Sequence, residues 1–96
     1  MHEKAQAILS KASNILEERA KTHGSSDNTM VNIAALWGEW LLARGLTDQT
    51  LTTRDVAVML SLLKMARICN TINEGTEHDD NWIDGAAYLA IGGSLA

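Results

Sequence analysis

The residues of this chain that could do chemistry are charged side chains set into apolar helical segments. Lys64 and Arg67 lie three residues apart in the most apolar stretch, and Asp80, Asp84 and Tyr88 follow one another at intervals of four. Residues three or four apart share one face of a helix. Because buried lysine and arginine are costly unless paired or ligand-bound, we expect the two cations either to pair with the aspartates or to face an anion.

A second polar group lies at the end of the first predicted helix. Lys21, His23 and Gly24 would place two basic side chains beside free backbone amides, an arrangement that can hold a phosphate. The alternative is ordinary capping, because cations favour the C-terminal end of a helix. Trp37 could stack on a base or pack in the core, and His78 precedes the aspartates and joins the candidate ligand site.

The carboxylates also suit Mg²⁺, whose ligands are oxygen atoms. Under that alternative Asp80 and Asp84 would hold the metal together with Glu18 or its neighbour Glu17, and the metal would activate a water molecule. Pairing with the cations suits the same aspartates equally well. Apart from this Mg²⁺ we expect no cofactor. A zinc site would need more cysteine and histidine, and the single cysteine, Cys69, lies in an apolar stripe that predicts a core position.

The composition predicts one helical domain over residues 1–96. The chain is 46% apolar but has no phenylalanine and no proline, so aliphatic residues must form its core. The net charge of −4 comes without the basic stripe of a protein that binds duplex nucleic acid. The sequence shows neither a signal peptide nor an apolar run of membrane-spanning length. We therefore expect a cytoplasmic protein without a membrane partner.

Apolar residues recur at helical spacing in four segments. We predict helices over residues 3–21, 28–44, 53–72 and 81–91, ended in turn by Gly24, Gly45, Gly75 and the pair Gly92–Gly93. Thr52 and Asp55 have capping-box spacing, and Asp79 or Asp80 can cap the last helix. Four helices with short connections predict an all-α, antiparallel, four-helix bundle-like fold.

The third helix is apolar on two sides. One stripe contains Val56, Met59, Leu60, Leu63 and Ala66, and the other contains Val58, Leu62, Met65 and Cys69. Such a helix is either central to a tight monomer or buried in part by another subunit. We expect a homo-oligomer, because small bundles with surplus apolar faces bury them by symmetric pairing.

The chain resembles a family of small phage and prophage proteins. The shared motifs are ILEER at 15–19, KTHG at 21–24, NIA at 32–34, LW at 36–37, TRDVAVM at 53–59, LKMARI at 63–68, and HDDNWID at 78–84 followed by Tyr88. This resemblance carries no activity with it.

More remotely, the helix order is similar to the all-α nucleoside triphosphate pyrophosphohydrolases of the MazG and dimeric dUTPase type, which hold Mg²⁺ with E-x-x-E and E-x-x-D pairs. Here Glu17 and Glu18 are adjacent and the later pair reads Asn81 and Asp84, so the implied metal set is incomplete.

Three functions follow from these patterns. The first is a non-catalytic protein that binds a phosphate-bearing small molecule, such as a nucleotide-derived signal, near a subunit interface. Its ligand residues would be Lys21, His23, Lys64, Arg67, His78, Asp80 and Asp84, with Trp37 or Tyr88 stacking on a base. The second is a Mg²⁺-dependent pyrophosphohydrolase. The third is a structural or regulatory protein whose polar residues only cap helices and pair with one another.

Overall fold

The computed structural model describes residues 1–22, 26–76 and 78–95. Within these ranges the chain forms four helices and no strand, which confirms the all-α prediction. They are α1 (Glu3–Thr22), α2 (Ser26–Ala43), α3 (Thr53–Glu74) and α4 (Asp79–Ser94). His23 and Gly24, predicted to form a phosphate-binding helix end, lie outside the described residues.

The start of α3 is fixed by the predicted capping box. The Thr52 hydroxyl oxygen accepts a hydrogen bond from the Asp55 backbone N–H at 3.1 Å, and the Asp55 carboxylate accepts one from the Thr52 backbone N–H at 2.9 Å. The backbone N–H and the hydroxyl group of Thr52 together hold the pKa of Asp55 below its ordinary value. The other end of α3 is Gly75, which adopts a left-handed conformation with φ 71°. Few residues other than glycine take this conformation readily.

Several predicted helix ends were wrong. Residues 26 and 27 belong to α2, and α3 continues past residue 72 to Glu74. The N-cap of α4 is His78, which makes no side-chain capping hydrogen bond, while Asp79 and Asp80 lie in the first turn of the helix. Carboxylates in that position are favoured by the helix dipole, so the two aspartates act on the helix end through charge instead of as caps.

The glycine pair 92–93 does not end α4 as predicted. The helix runs through both glycines to Ser94, and Gly92 is buried. A methyl group built on Gly92 would lie 3.4 Å from the Cβ atom of Ala57 on α3. The glycine is therefore explained by the close approach of two helices and not by a turn, and periodicity alone does not distinguish these two uses.

α3 and α4 pack antiparallel along a line of small residues. Gly92 faces Ala57 and Gly85 faces Lys64, so increasing residue number on one helix meets decreasing number on the other. Between these points the hydroxyl group of Ser61, which is buried, donates to the carbonyl oxygens of Ala57 at 3.2 Å and Gly85 at 3.3 Å. α4 also packs against α1, and α2 packs against α3.

Two small core clusters hold this arrangement together. The first contains Met30, Ala34, Val56, Ala57 and Ile91, and the second contains Ala12, Ile83 and Ala87. Leu16 of α1 packs against both. The clusters join α2 and α1 to the central pair of helices.

The second apolar stripe of α3 is not part of either core cluster. Its residues Val58, Leu62 and Met65 are 42%, 55% and 56% exposed. Cys69 is exposed as well, so the predicted core position of this cysteine was wrong. Helical spacing identified the stripe but not what covers it. Within the described ranges, no helix has both the length and the apolar character needed to cross a bilayer.

Removing the N-cap of α3 should destabilise the protein. We expect Thr52→Ala to lower the free energy of unfolding by about 1 kcal/mol, the usual effect of losing such a cap, because the Asp55 backbone N–H loses its acceptor. Urea unfolding followed by circular dichroism measures this. The exposed neighbour Thr50 provides the control, and an equal loss in Thr50→Ala would contradict the role of the cap.

The same capping box should give the stability a specific pH dependence. Because the pKa of Asp55 is lower in the folded chain than in the unfolded chain, its ionised form stabilises the fold. This contribution is complete above the ordinary aspartate pKa of about 4 and is lost as the pH falls through the lower folded-state value. We expect the wild type to be more stable than Asp55→Asn at neutral pH. Urea unfolding at pH 7, 5 and 3 measures this difference. It should be the same at pH 7 and pH 5 and smaller at pH 3, which is about one unit below the ordinary aspartate pKa. A difference that stays constant down to pH 3 would contradict the role of the Asp55 carboxylate.

Candidate functional site

The candidate site is a cluster of charged side chains where α1, α3 and α4 meet. One carboxylate oxygen of Asp84 lies 3.1 Å from Lys64 Nζ, and its other oxygen lies 4.0 Å from an Arg19 guanidinium nitrogen. The same guanidinium lies over the ring of Tyr88, with its Cζ 5.5 Å from the ring centre. Two cations from different helices thus converge on one aspartate.

Each of these side chains is positioned by the packing of its helix. Asp84 and Tyr88 are four residues apart and share the face of α4 that is directed to α1. Lys64 lies on the line of α3 that meets α4, where Gly85 permits close approach: a methyl group built on Gly85 would lie 3.5 Å from Lys64 Cβ. The Lys64, Asp84 and Arg19 side chains are 12%, 23% and 35% exposed, so water reaches the cluster from the Arg19 side.

The cluster carries a net positive charge. Its residues contribute two cations and one carboxylate, whereas the whole chain carries a net charge of −4. Partial burial strengthens the interaction between such charges relative to fully solvated ones. The arrangement can therefore attract an anion, whose negative charge would balance the second cation.

Three of the four residues of this cluster, Lys64, Asp84 and Tyr88, were predicted site residues, and Arg19 was not. Of the two alternatives for Lys64, the structure shows the ion pair with Asp84. In the sequence, Arg19 stands out only as the last residue of the ILEER motif. It stands seven residues after the buried Ala12 and four after the half-buried Ile15, so it continues the apolar stripe of α1. A cation that continues an apolar stripe is directed toward the neighbouring helices, and this position would have identified Arg19 as a candidate site residue.

Most of the other predicted site residues are exposed. Arg67 lies one helical turn beyond Lys64 and forms no ion pair with another described residue. Trp37 lines a different hollow of about 320 Å³ together with Trp40, Leu41 and Met59. The exposed predicted site residues are Glu18, Lys21, Trp37, Arg67, His78 and Asp80.

The proposed magnesium ligands do not form a group in the described residues. No three histidine, cysteine, aspartate or glutamate side chains among them are close enough together to hold a metal ion. Asp84 is engaged by Lys64 and Arg19, while Asp80 and Glu18 are exposed on the surface. The magnesium site stays a prediction from the sequence.

An apolar groove of about 310 Å³ lies beside Lys64, between α3 and α4. Met65 and Ile68 form its α3 wall, and Trp82 and Leu89 form its α4 wall. Ser61 lies in its floor, with its hydroxyl group already committed to two carbonyl oxygens. The groove is therefore apolar over most of its surface and was not foreseen as a site.

Comparison with known proteins identifies the family. The profile described as “Domain of unknown function (DUF6378)” matches residues 7–96. The chain belongs to the DUF6378 family. It is also 36% identical over 86 residues to the Gene 55 protein of Mycobacterium phage L5. That alignment covers 88% of this chain and 49% of the phage protein, so the chain spans about half the length of this relative. No solved structure matches the chain.

These matches support the resemblance to phage proteins. The resemblance of this DUF6378 chain to MazG-type pyrophosphohydrolases stays a prediction. Arg19, Lys64, Asp84 and Tyr88 all lie within the part of the chain that the family profile matches.

The cluster makes a specific prediction for stability. Asp84→Asn leaves two partly buried cations facing each other without a counter-charge, so we expect it to cost about 1–3 kcal/mol. Lys64→Met should cost less, because Asp84 keeps Arg19 as a partner and methionine retains most of the apolar stem.

Urea unfolding of both variants tests this order. Asp48→Asn, at an exposed position in the loop before α3, is the control and should change the stability by less than about 0.5 kcal/mol. A larger loss in Lys64→Met than in Asp84→Asn would show that the cations do not depend on the carboxylate.

Proposed function

We propose that this protein binds a phosphate-bearing small molecule, without catalysis, at the Arg19–Lys64–Asp84–Tyr88 cluster. The observation that carries the proposal is the convergence of two cations on one carboxylate at a partly buried junction of three helices. One positive charge there has no counter-charge within the cluster. A phosphate group would supply it.

The chemistry of the two cations supports an oxyanion ligand. Arginine presents a planar set of donors that fits phosphate, and lysine binds phosphate as a compact point charge. The guanidinium of Arg19 is held on the Tyr88 ring. Because this contact already restricts the orientation of the side chain, less conformational entropy is lost when a ligand binds. A positive site on a chain of net charge −4 also localises an anion to one place.

A further cation extends the site on α3. Arg67 follows Lys64 by one turn and is exposed, so it is available to a second phosphate or to a larger ligand. Lys21 is exposed as well, but it stands two residues after Arg19 and therefore lies about 200° around α1 from it, on another face of the helix. In this proposal the ligand is a nucleotide or a nucleotide-derived signal, and a phage protein of this kind would sequester it in the host cytoplasm.

Thermal stabilisation by ligands tests the proposal. We expect phosphate, pyrophosphate and a panel of linear and cyclic nucleotides to include at least one compound that raises Tm. A ligand at 100 times its Kd stabilises the folded state by about 2.7 kcal/mol. Arg19→Ala should abolish the effect, and Lys4→Ala, an exposed lysine near the start of α1, is the charge-matched control.

Asp84→Asn gives a second, opposite readout. The variant removes the internal counter-charge, so we expect its stability without ligand to fall and its stabilisation by the same anion to rise. Several results contradict the proposal: no compound raises Tm, Lys4→Ala loses the effect as fully as Arg19→Ala does, or Asp84→Asn binds the anion less tightly than the wild type. Mg²⁺-dependent turnover of the bound nucleotide would contradict the non-catalytic part.

A further inference from the structure

One surface of α3 and α4 is apolar and exposed over several helical turns. On α3 the exposed residues Val58, Leu62, Met65, Cys69 and Ile72 follow one another at alternating intervals of four and three. Trp82 and Leu89 lie seven residues apart on α4 and are 41% and 56% exposed. We define these seven residues as the apolar face. The groove of about 310 Å³ beside Lys64 runs through it.

The whole chain exposes more surface than a compact monomer of its mass. Its accessible area is 6855 Å², whereas a compact monomer of 10.4 kDa exposes about 5,400 Å². Its radius of gyration is 15.1 Å, against about 12.5 Å for a compact domain of this length. The excess area is about 1,500 Å², and obligate dimers commonly bury about 1,000 Å² or more from each partner.

We propose that a second copy of this chain packs on the apolar face and forms a two-fold symmetric dimer. The alternating spacing on α3 is that of a coiled-coil seam, in which side chains of one helix enter the holes of its partner. A two-fold interface sets the same patch against itself, so any charge at its centre would meet its own sign. Lys64 and Arg67, the charged residues of α3 between Val58 and Ile72, lie away from this stripe by helical position.

The dimer does not depend on the proposed ligand. On α4, Asp84 and Tyr88 lie about 100–160° around the helix from Trp82 and Leu89, since residues advance by about 100° per position. A partner on the apolar face would fill the groove with its own side chains. Lys64 lines that groove, but its amino group is held 3.1 Å from Asp84, away from Trp82 and Leu89. Loss of ligand binding would therefore leave the dimer intact.

Sedimentation equilibrium of the full chain tests the proposal. We expect a mass of about 21 kDa, twice the 10.4 kDa of one chain, and a Tm that rises with protein concentration. Met65→Glu places a charge at the centre of the face and should halve the mass. Leu9→Glu is the matched control on α1: Leu9 is 62% exposed, and the variant should keep the dimeric mass.

Maleimide labelling of Cys69 provides a measurement on the wild type, in case Met65→Glu fails to fold. The only cysteine of the chain lies within the apolar face. It should react slowly at high protein concentration and rapidly after dilution. The proposal is overturned if the wild type sediments at the mass of one chain throughout, if Cys69 reacts equally fast at both concentrations, or if Leu9→Glu dissociates the protein as Met65→Glu does.

Discussion

The close approach of α3 and α4 is the constraint on which the rest of the structure depends. It is made possible by small residues at successive contact points, Gly92 against Ala57 and Gly85 beside Ser61. The buried Ser61 hydroxyl group has two carbonyl acceptors, one on each helix, so the polar atom at the seam is satisfied. Because the backbones come this close, Lys64 reaches past the seam to Asp84.

Much of the architecture was predictable because it rests on local physics. The capping box of Thr52 and Asp55 and the left-handed Gly75 need only a few neighbouring residues. The capping box was predicted from its spacing, and Gly75 was predicted as the residue that ends the helix. The role of Gly92 was not, because a glycine that ends a helix and a glycine that admits a neighbouring helix look alike in one sequence. The difference lies in tertiary contact with Ala57, which periodicity does not encode.

The candidate site shows the same division. Lys64 and Asp84 were selected because charges within apolar stripes need partners, and this argument holds whatever the detailed packing. Arg19 was missed because its position next to Asp84 depends on how α1 crosses α4. The distance from the cluster to the guanidinium of Arg67 depends on the rotamer of a long exposed side chain, which neither spacing nor composition specifies.

The chain has no phenylalanine and one tyrosine, so the three tryptophans are most of its aromatic residues, and none of them belongs to the core clusters. Trp37 and Trp40 lie on α2 and Trp82 lies on α4, each between about a third and two thirds exposed. Indole emission shifts to shorter wavelength when the ring leaves water. The intrinsic fluorescence of this protein will thus report what covers its surface, and Trp82 alone, after replacement of the other two, will report on the groove between α3 and α4.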